Sequence, residues 1–138
     1  CSSDLIPALI EMMRGYAKES PIKALQDSDN EDHVKNIFLA LINGRGFVLI
    51  EDDKGMLAAV ITKNFWNPSV IEIKELAWWV HPDHRNGMVG GRLFVGFVNK
   101  AKQLIVKGRA HIMTASLINE VNIEKQGFKR IESTYVRE

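Results

Sequence analysis

The chain has 138 residues, a formal net charge of +1 and a charged fraction of 25%, values typical of one soluble globular domain. Its near-neutral charge excludes both a strongly basic nucleic-acid-binding surface and an acidic disordered chain. The single cysteine, Cys1, excludes an internal disulfide framework and a cysteine-rich metal site. No apolar run approaches the ~18 residues of a membrane-spanning helix, and no signal-peptide pattern is present. We therefore expect one cytoplasmic domain over residues 1–138, with no metal, nucleic-acid partner or membrane partner.

The first half of the chain predicts two helices followed by a β-hairpin. Apolar side chains recur at helical spacing over residues 5–18 and again over residues 34–42, where Asn43-Gly44 is typical of a helix end. The spacing then becomes extended, with a short strand over residues 47–50, a polar turn, and a returning strand over residues 56–62.

The second half predicts a long strand over residues 70–80 and a long helix that begins near Gly90 and ends at Gly108. A strand over residues 110–115, a short polar helix over 118–126 and a final strand over 128–136 follow. This order is typical of an α+β (mixed α/β) fold, in which helices flank a twisted, mixed and mostly antiparallel sheet.

A glycine-rich turn joins the long strand to the long helix. Gly87, Gly90 and Gly91 fall close together, and glycine lets backbone amides approach a ligand closely. The first amides of a helix have no intrahelical acceptor and attract anions, and Arg85 and Arg92 add positive charge. The turn therefore predicts a phosphate or pyrophosphate site, with a ligand-free helix start as the alternative. Neither the Walker phosphate loop nor the G-x-G-x-x-G dinucleotide fingerprint is present.

The same segment carries a family resemblance, through the pattern Val80-x-Pro82-x-x-Arg85-x-x-x-Val89-Gly90-x-x-Leu93. It resembles the coenzyme A motif of the GNAT-type N-acetyltransferase superfamily, whose core is Arg/Gln-x-x-Gly-x-Gly/Ala. A second match is the step Glu124-Lys125-Gln126-Gly127-Phe128 before the last predicted strand. The order of elements agrees over nearly the whole chain, except that the family's usual first strand has no counterpart before Asp4. The short layout is similar to small bacterial or phage-encoded members.

The resemblance implies a GNAT-like acyl-CoA N-acyltransferase fold and an enzyme that uses acetyl-CoA as co-substrate. Two splayed strands would hold the pantetheine arm, through backbone groups at Trp79 and Val80 and through the side chain of Asn119. Exposed helix surface is the alternative for Asn119 and its neighbour Asn122. Backbone amides of the turn would hold the pyrophosphate, and they belong to Arg85, Asn86, Gly87, Met88, Val89, Gly90 and Gly91. Met88 departs from the family motif, which has its first glycine there.

The resemblance also implies direct attack of an acceptor amine on the thioester, with a strand glutamate as the base. Glu75 matches that position, and Glu72 is a less well placed alternative. A buried carboxylate needs a functional or a paired explanation, so an ion pair with Lys74 or Lys63 is the competing interpretation. Many relatives protonate the leaving thiolate with a tyrosine where this chain has Ile123, so here the thiolate would leave unaided or use water.

Other expectations concern partners and alternatives. The acceptor is a small-molecule or protein amine. The acidic residues 27–32 would attract it, with solvent-exposed charges at a helix N-terminus as the favoured alternative. Paired sheet edges make a homodimer possible. Trp78 and Trp79 should point to opposite faces of their strand, and Phe65 and Trp66 would either line the cleft or pack beside the sheet. Two alternatives stay open: a non-catalytic GNAT-like acyl-CoA-binding or structural protein, virion-associated for example, and a lipid-anchored protein that begins at Cys1.

Overall fold

The structure is a computed structural model that describes residues 2–27, 29–117 and 121–138. Two of the sequence predictions fall on residues outside these ranges. They are the lipid anchor at Cys1 and the pantetheine contact of Asn119, and both stay predictions.

Four α-helices lie within the described ranges; three are close to the predicted positions, whereas the short helix between the first two was not predicted. A 3-10 turn over Ser2–Leu5 leads into the first, and Pro7 stands in its first turn, where a missing amide hydrogen is tolerated. Gly44, with φ of +114°, ends the third helix through a short π-helical turn, as expected of Asn43-Gly44. The helices are α1 (Ile6–Lys18), α2 (Lys23–Gln26), α3 (Glu31–Ala40) and α4 (Val89–Val106).

The described strands form one mixed sheet in the order β1-β2-β3-β4. The first two pairings are antiparallel, whereas β3 and β4 run parallel, so the predicted mixed and mostly antiparallel sheet is confirmed. The parallel pairing is short, because it joins only three residues of each strand and ends at Lys74 and Thr114. The strands are β1 (Gly46–Glu51), β2 (Gly55–Lys63), β3 (Ile71–Val80) and β4 (Ile112–Thr114).

A β-bulge interrupts β3 at Leu76. Ala58 of β2 faces Ala77 and the next residue, Ala59, faces Glu75, so Leu76 is the extra residue. A one-residue insertion exchanges the two faces of a strand. Ile73, before the bulge, therefore packs on the α4 side of the sheet, whereas Ala77, after it, packs on the opposite side.

The sheet separates two apolar layers, and these confirm helices on both faces. α4 covers one face with buried residues such as Leu93, Phe94 and Phe97. α1 and α3 cover the other face, with Leu9, Met12 and Phe38 packed against β2 and β3. Trp78 and Trp79 pack in the two different layers, as their adjacent positions on a strand predict.

The prediction of a final strand is wrong. Residues 128–138 form no strand, although Phe128 packs against Phe94 with a ring-centroid distance of 5.5 Å. Strand-forming sequence becomes a strand only where a partner strand and a buried face are available, and Ile131 and Tyr135 are 71% and 90% exposed. The predicted helix over 118–126 is likewise reduced, within its described part, to a 3-10 turn over Glu124–Gln126.

Candidate active site

A cavity of about 400 Å³ lies where β3 and β4 separate. Beyond Lys74, one edge of β3 stays paired with β2 while the other edge faces this cavity. The first turn of α4, the C-terminal end of α1 and the segment after β4 complete its wall. Its volume falls in the range of small-molecule sites.

Glu75 lies in this wall and is only 4% exposed. The amide of Ser116, just beyond β4, donates a hydrogen bond of 3.0 Å to its Oε1. Burial raises the pKa of Glu75 to about 7, and the Ser116 hydrogen bond offsets only part of that effect. Among the described residues, no ion pair joins Glu75 to Lys74 or Lys63, so the competing interpretation of a paired glutamate is not supported.

The glycine-rich turn forms another part of the wall, through Gly87, Gly90 and Gly91. Met88 is the N-cap residue of α4 and supplies no side-chain cap, so the first helical amides have no partner within the helix. The side chain of Met88 is 73% exposed and lies outside the described cavity lining. The methionine therefore does not fill the turn, which leaves its backbone free to contact an anion.

Not every amide of the turn is equally available. The Gly87 amide donates to the carbonyl of His84 at 3.3 Å, and the Arg85 amide donates to the carbonyl of Pro82 at 3.5 Å. The side chain of Val89 is buried in the α4 core, so this residue can offer only its backbone. Asn86 is exposed and lies outside the described cavity lining.

An ionic network joins the end of α1 to the mouth of the cavity. Glu19 Oε2 accepts hydrogen bonds from Arg85 Nη2 at 2.6 Å and from Trp79 Nε1 at 2.5 Å. Arg85 Nε also donates to the carbonyl oxygen of Val80 at 2.9 Å. The Arg85 hydrogen bond lowers the pKa of Glu19, which stays ionised at neutral pH. Sequence analysis missed Glu19, because it lies 66 residues before Arg85 and in no motif.

A second cavity of about 680 Å³ adjoins the first on the side of α1 and α3. Tyr16, Ser116 and Leu117 line both cavities, so they form the boundary between the two. Arg14 in the second cavity contacts three carboxylates, those of Glu11, Asp29 and Glu31. Its wall thus carries more negative than positive charge.

Two predicted contributors lie elsewhere. Phe65 and Trp66 are 87% and 88% exposed and contact each other edge to face, with ring centroids 5.1 Å apart. Neither lines either cavity in the described part of the chain.

Two features are absent from the described residues, a membrane-spanning helix and a cluster of metal ligands. No helix there combines the length and apolarity of a membrane span. No group of three or more His, Cys, Asp or Glu side chains within residues 2–27, 29–117 and 121–138 could hold a metal ion.

The architecture is that of the GNAT acetyltransferases, so the predicted resemblance is confirmed at the level of the fold. Glucosamine-6-phosphate N-acetyltransferase from Arabidopsis thaliana matches with a TM-score of 0.63 at 12% identity, over 99% of this chain and 92% of that one. A putative acetyltransferase from Pyrococcus furiosus gives 0.61 at 17% identity, over 99% and 95% of the two chains.

A predicted acetyltransferase from Clostridium acetobutylicum, whose crystal structure includes acetyl-CoA, gives a TM-score of 0.59 at 13% identity over 99% and 88% of the chains. No family model and no curated protein matches this chain by sequence. These structural matches show the fold. At such low sequence identity, the reaction is indicated by the residues of the site.

Proposed function

We propose that the protein is an N-acetyltransferase, which transfers an acetyl group from acetyl-CoA to an amine by direct attack. The observation that carries the proposal is the position of Glu75. It is a buried carboxylate with a pKa of about 7, in the wall of a cavity that also includes the start of α4, where backbone amides suit an anion. A general base is most effective when its pKa lies near the working pH.

Different residues of the chain suit the different parts of acetyl-CoA. Beyond Lys74, the edge of β3 that does not pair with β2 offers backbone groups for the pantetheine arm. Of the two residues predicted for this contact, Val80 already binds Arg85 Nε through its carbonyl oxygen. The unpaired amides at the start of α4, together with the charge of Arg85, suit the pyrophosphate. A cavity of about 400 Å³ has room for the pantetheine arm and the acetyl group, while the nucleotide would lie outside it.

Glu75 performs the proton transfer at the start of the reaction. Its ionised form accepts a proton from the incoming amine, directly or through a water molecule, and so makes the nitrogen lone pair available. The Ser116 amide orients the carboxylate through its contact with Oε1. Backbone N–H groups of β3 that face the cavity stabilise the oxyanion that develops on the thioester carbonyl.

The second cavity suits the acceptor, because it meets the first at Tyr16 and Ser116. The excess of carboxylates around Arg14 favours a cationic molecule, as a protonated amine is before it reacts. We propose a small-molecule or protein amine as the acceptor, and a homodimer remains a proposal for the assembly.

The test is release of free coenzyme A thiol from acetyl-CoA over a panel of polyamines, amino sugars and lysine peptides. The proposal predicts thiol release that depends on both the amine and Glu75, with the Glu75→Gln variant as control. Saturable binding of acetyl-CoA without turnover on any amine would instead favour a non-catalytic acyl-CoA-binding protein.

A further inference from the structure

Tyr16 occupies the boundary between the two cavities. It is a half-buried residue in the last turn of α1, and it lines both cavities together with Ser116 and Leu117. Glu75 lies close enough for its charge to act on the phenol. An amine in the second cavity could attack a thioester held in the first cavity. This reaction would take place beside Tyr16.

A thiolate that leaves a thioester takes up a proton, either from water or from a side chain of the site. Among the described residues that line the first cavity, four carry titratable side chains: Tyr16, Glu19, Glu75 and Arg85. Glu19 stays ionised beside Arg85, and a guanidinium does not give up its proton in proteins. Glu75 has the opposite task in this reaction, since it takes the proton of the amine.

Ile123 cannot supply the proton either. Its aliphatic side chain packs against the apolar layer on the α4 side of the sheet. Tyr16 is thus the one titratable group in the described wall of this cavity that is free to donate a proton.

We propose that Tyr16 is the general acid of the reaction and protonates the coenzyme A thiolate as it leaves. This inference rests on the proposed acetyltransferase function. Burial and the nearby charge of Glu75 both raise the pKa of Tyr16 above its ordinary value, so its hydroxyl carries a proton at neutral pH.

The protons balance over one turnover. An acceptor that arrives protonated first passes one proton through Glu75 to solvent. Its neutral nitrogen then forms a bond to the acetyl carbon and loses a second proton to Glu75, while the carbon–sulfur bond breaks and sulfur takes the proton of Tyr16. The carboxyl group of Glu75 is then a stronger acid than the phenol, so it returns a proton to the Tyr16 phenolate, directly or through water. Amide and free thiol are the products, and both side chains regain their starting states.

The test compares Tyr16→Phe with wild type, using two acetyl donors. Phenylalanine keeps the ring, which packs in the apolar layer between α1, α3 and the sheet, and removes only the hydroxyl group. With acetyl-CoA, we expect kcat to fall by roughly 10²-fold, the usual contribution of a general acid, while the Kd for acetyl-CoA stays within about twofold. With an aryl thioester, whose thiol is far more acidic, the difference between the proteins should largely disappear.

Tyr135→Phe is the matched control, since Tyr135 is the other tyrosine of the chain and is 90% exposed. It should match wild type with both donors. Comparing donors within one variant removes any effect of a partly unfolded preparation. Equal rates for Tyr16→Phe and wild type with acetyl-CoA would overturn the role of Tyr16 and leave the proposed function intact. An equal loss with both donors would assign Tyr16 a positioning role instead, and a wild type without thiol release would overturn both proposals.

Discussion

Replacing Glu75 by glutamine should make the protein more stable at neutral and alkaline pH while it removes activity. The side chain is 4% exposed, and its pKa is raised from 4.5 to about 7. Burial therefore penalises the charged form, and the folded state binds this proton more tightly than the unfolded state does. Glutamine has nearly the same shape, can still accept the Ser116 hydrogen bond, and carries no charge to bury.

The magnitude follows from the pKa difference. Each pKa unit corresponds to about 1.4 kcal/mol, so ionisation of Glu75 lowers the free energy of unfolding by up to about 3 kcal/mol. Because the folded-state pKa is the higher one, this penalty is absent below about pH 4.5, grows as the pH rises, and is complete above about pH 7. The glutamine variant escapes the penalty, so its advantage should follow the same pH window.

Urea unfolding of both proteins at pH 4.5 and pH 8 measures the effect, with Glu72→Gln on the same strand as control. We expect Glu75→Gln to gain up to about 3 kcal/mol over wild type at pH 8 and almost nothing at pH 4.5, a larger gain at pH 8 than in the control, whose side chain is less buried. Turnover of Glu75→Gln should fall by roughly 10²-fold or more with acetyl-CoA affinity unchanged. Equal stability of wild type and variant at pH 8 would refute the reasoning that burial controls this carboxylate.

Three further substitutions test the cofactor site by calorimetric titration with acetyl-CoA. Gly90→Ala places its Cβ at an ordinary contact distance of 3.4 Å from Val80 Cγ2, so the helix should fold. The added methyl group should lower the affinity for acetyl-CoA about tenfold through crowding. Gly96→Ala, in the same helix but away from the cavity, should bind acetyl-CoA normally. Glu19→Gln frees Arg85 from its ion pair and should strengthen binding by up to about fivefold, the range of an exposed charge pair; weaker binding would contradict this competition. Met88→Gly should change the affinity less than about twofold, because the methionine side chain points away from the cavity.

The sequence predicted those elements whose stability comes from their own pattern. The periodic apolar residues of α1, α3 and α4 were sufficient to predict these helices, because each helix buries an apolar face against the sheet. The alternating apolar residues of the hairpin were sufficient to predict its two strands. The segment over residues 128–136 has the same strand-like composition but no pairing partner among the described strands. Its state depends on neighbours that local sequence does not specify.

The residues of the candidate site also fall into two groups, those that local sequence predicts and those that only the folded chain brings to the cavity. Glu75 and the glycine-rich turn could be found because they lie in one continuous motif around β3. Tyr16 in α1 and Glu19, the residue directly after α1, reach the cavity only through the packing of that helix on the sheet. The bulge at Leu76, which lies within the part of β3 that faces the cavity, is likewise visible only in the register of β2 and β3.

The central claim is that the cavity between β3 and β4 binds acetyl-CoA for transfer to an amine. A calorimetric titration of the wild-type protein with acetyl-CoA tests it most directly. The account predicts saturable binding with one molecule per chain, retained in Glu75→Gln and weakened in Gly90→Ala. An absence of binding at millimolar acetyl-CoA, or equal binding by wild type and Gly90→Ala, would contradict it.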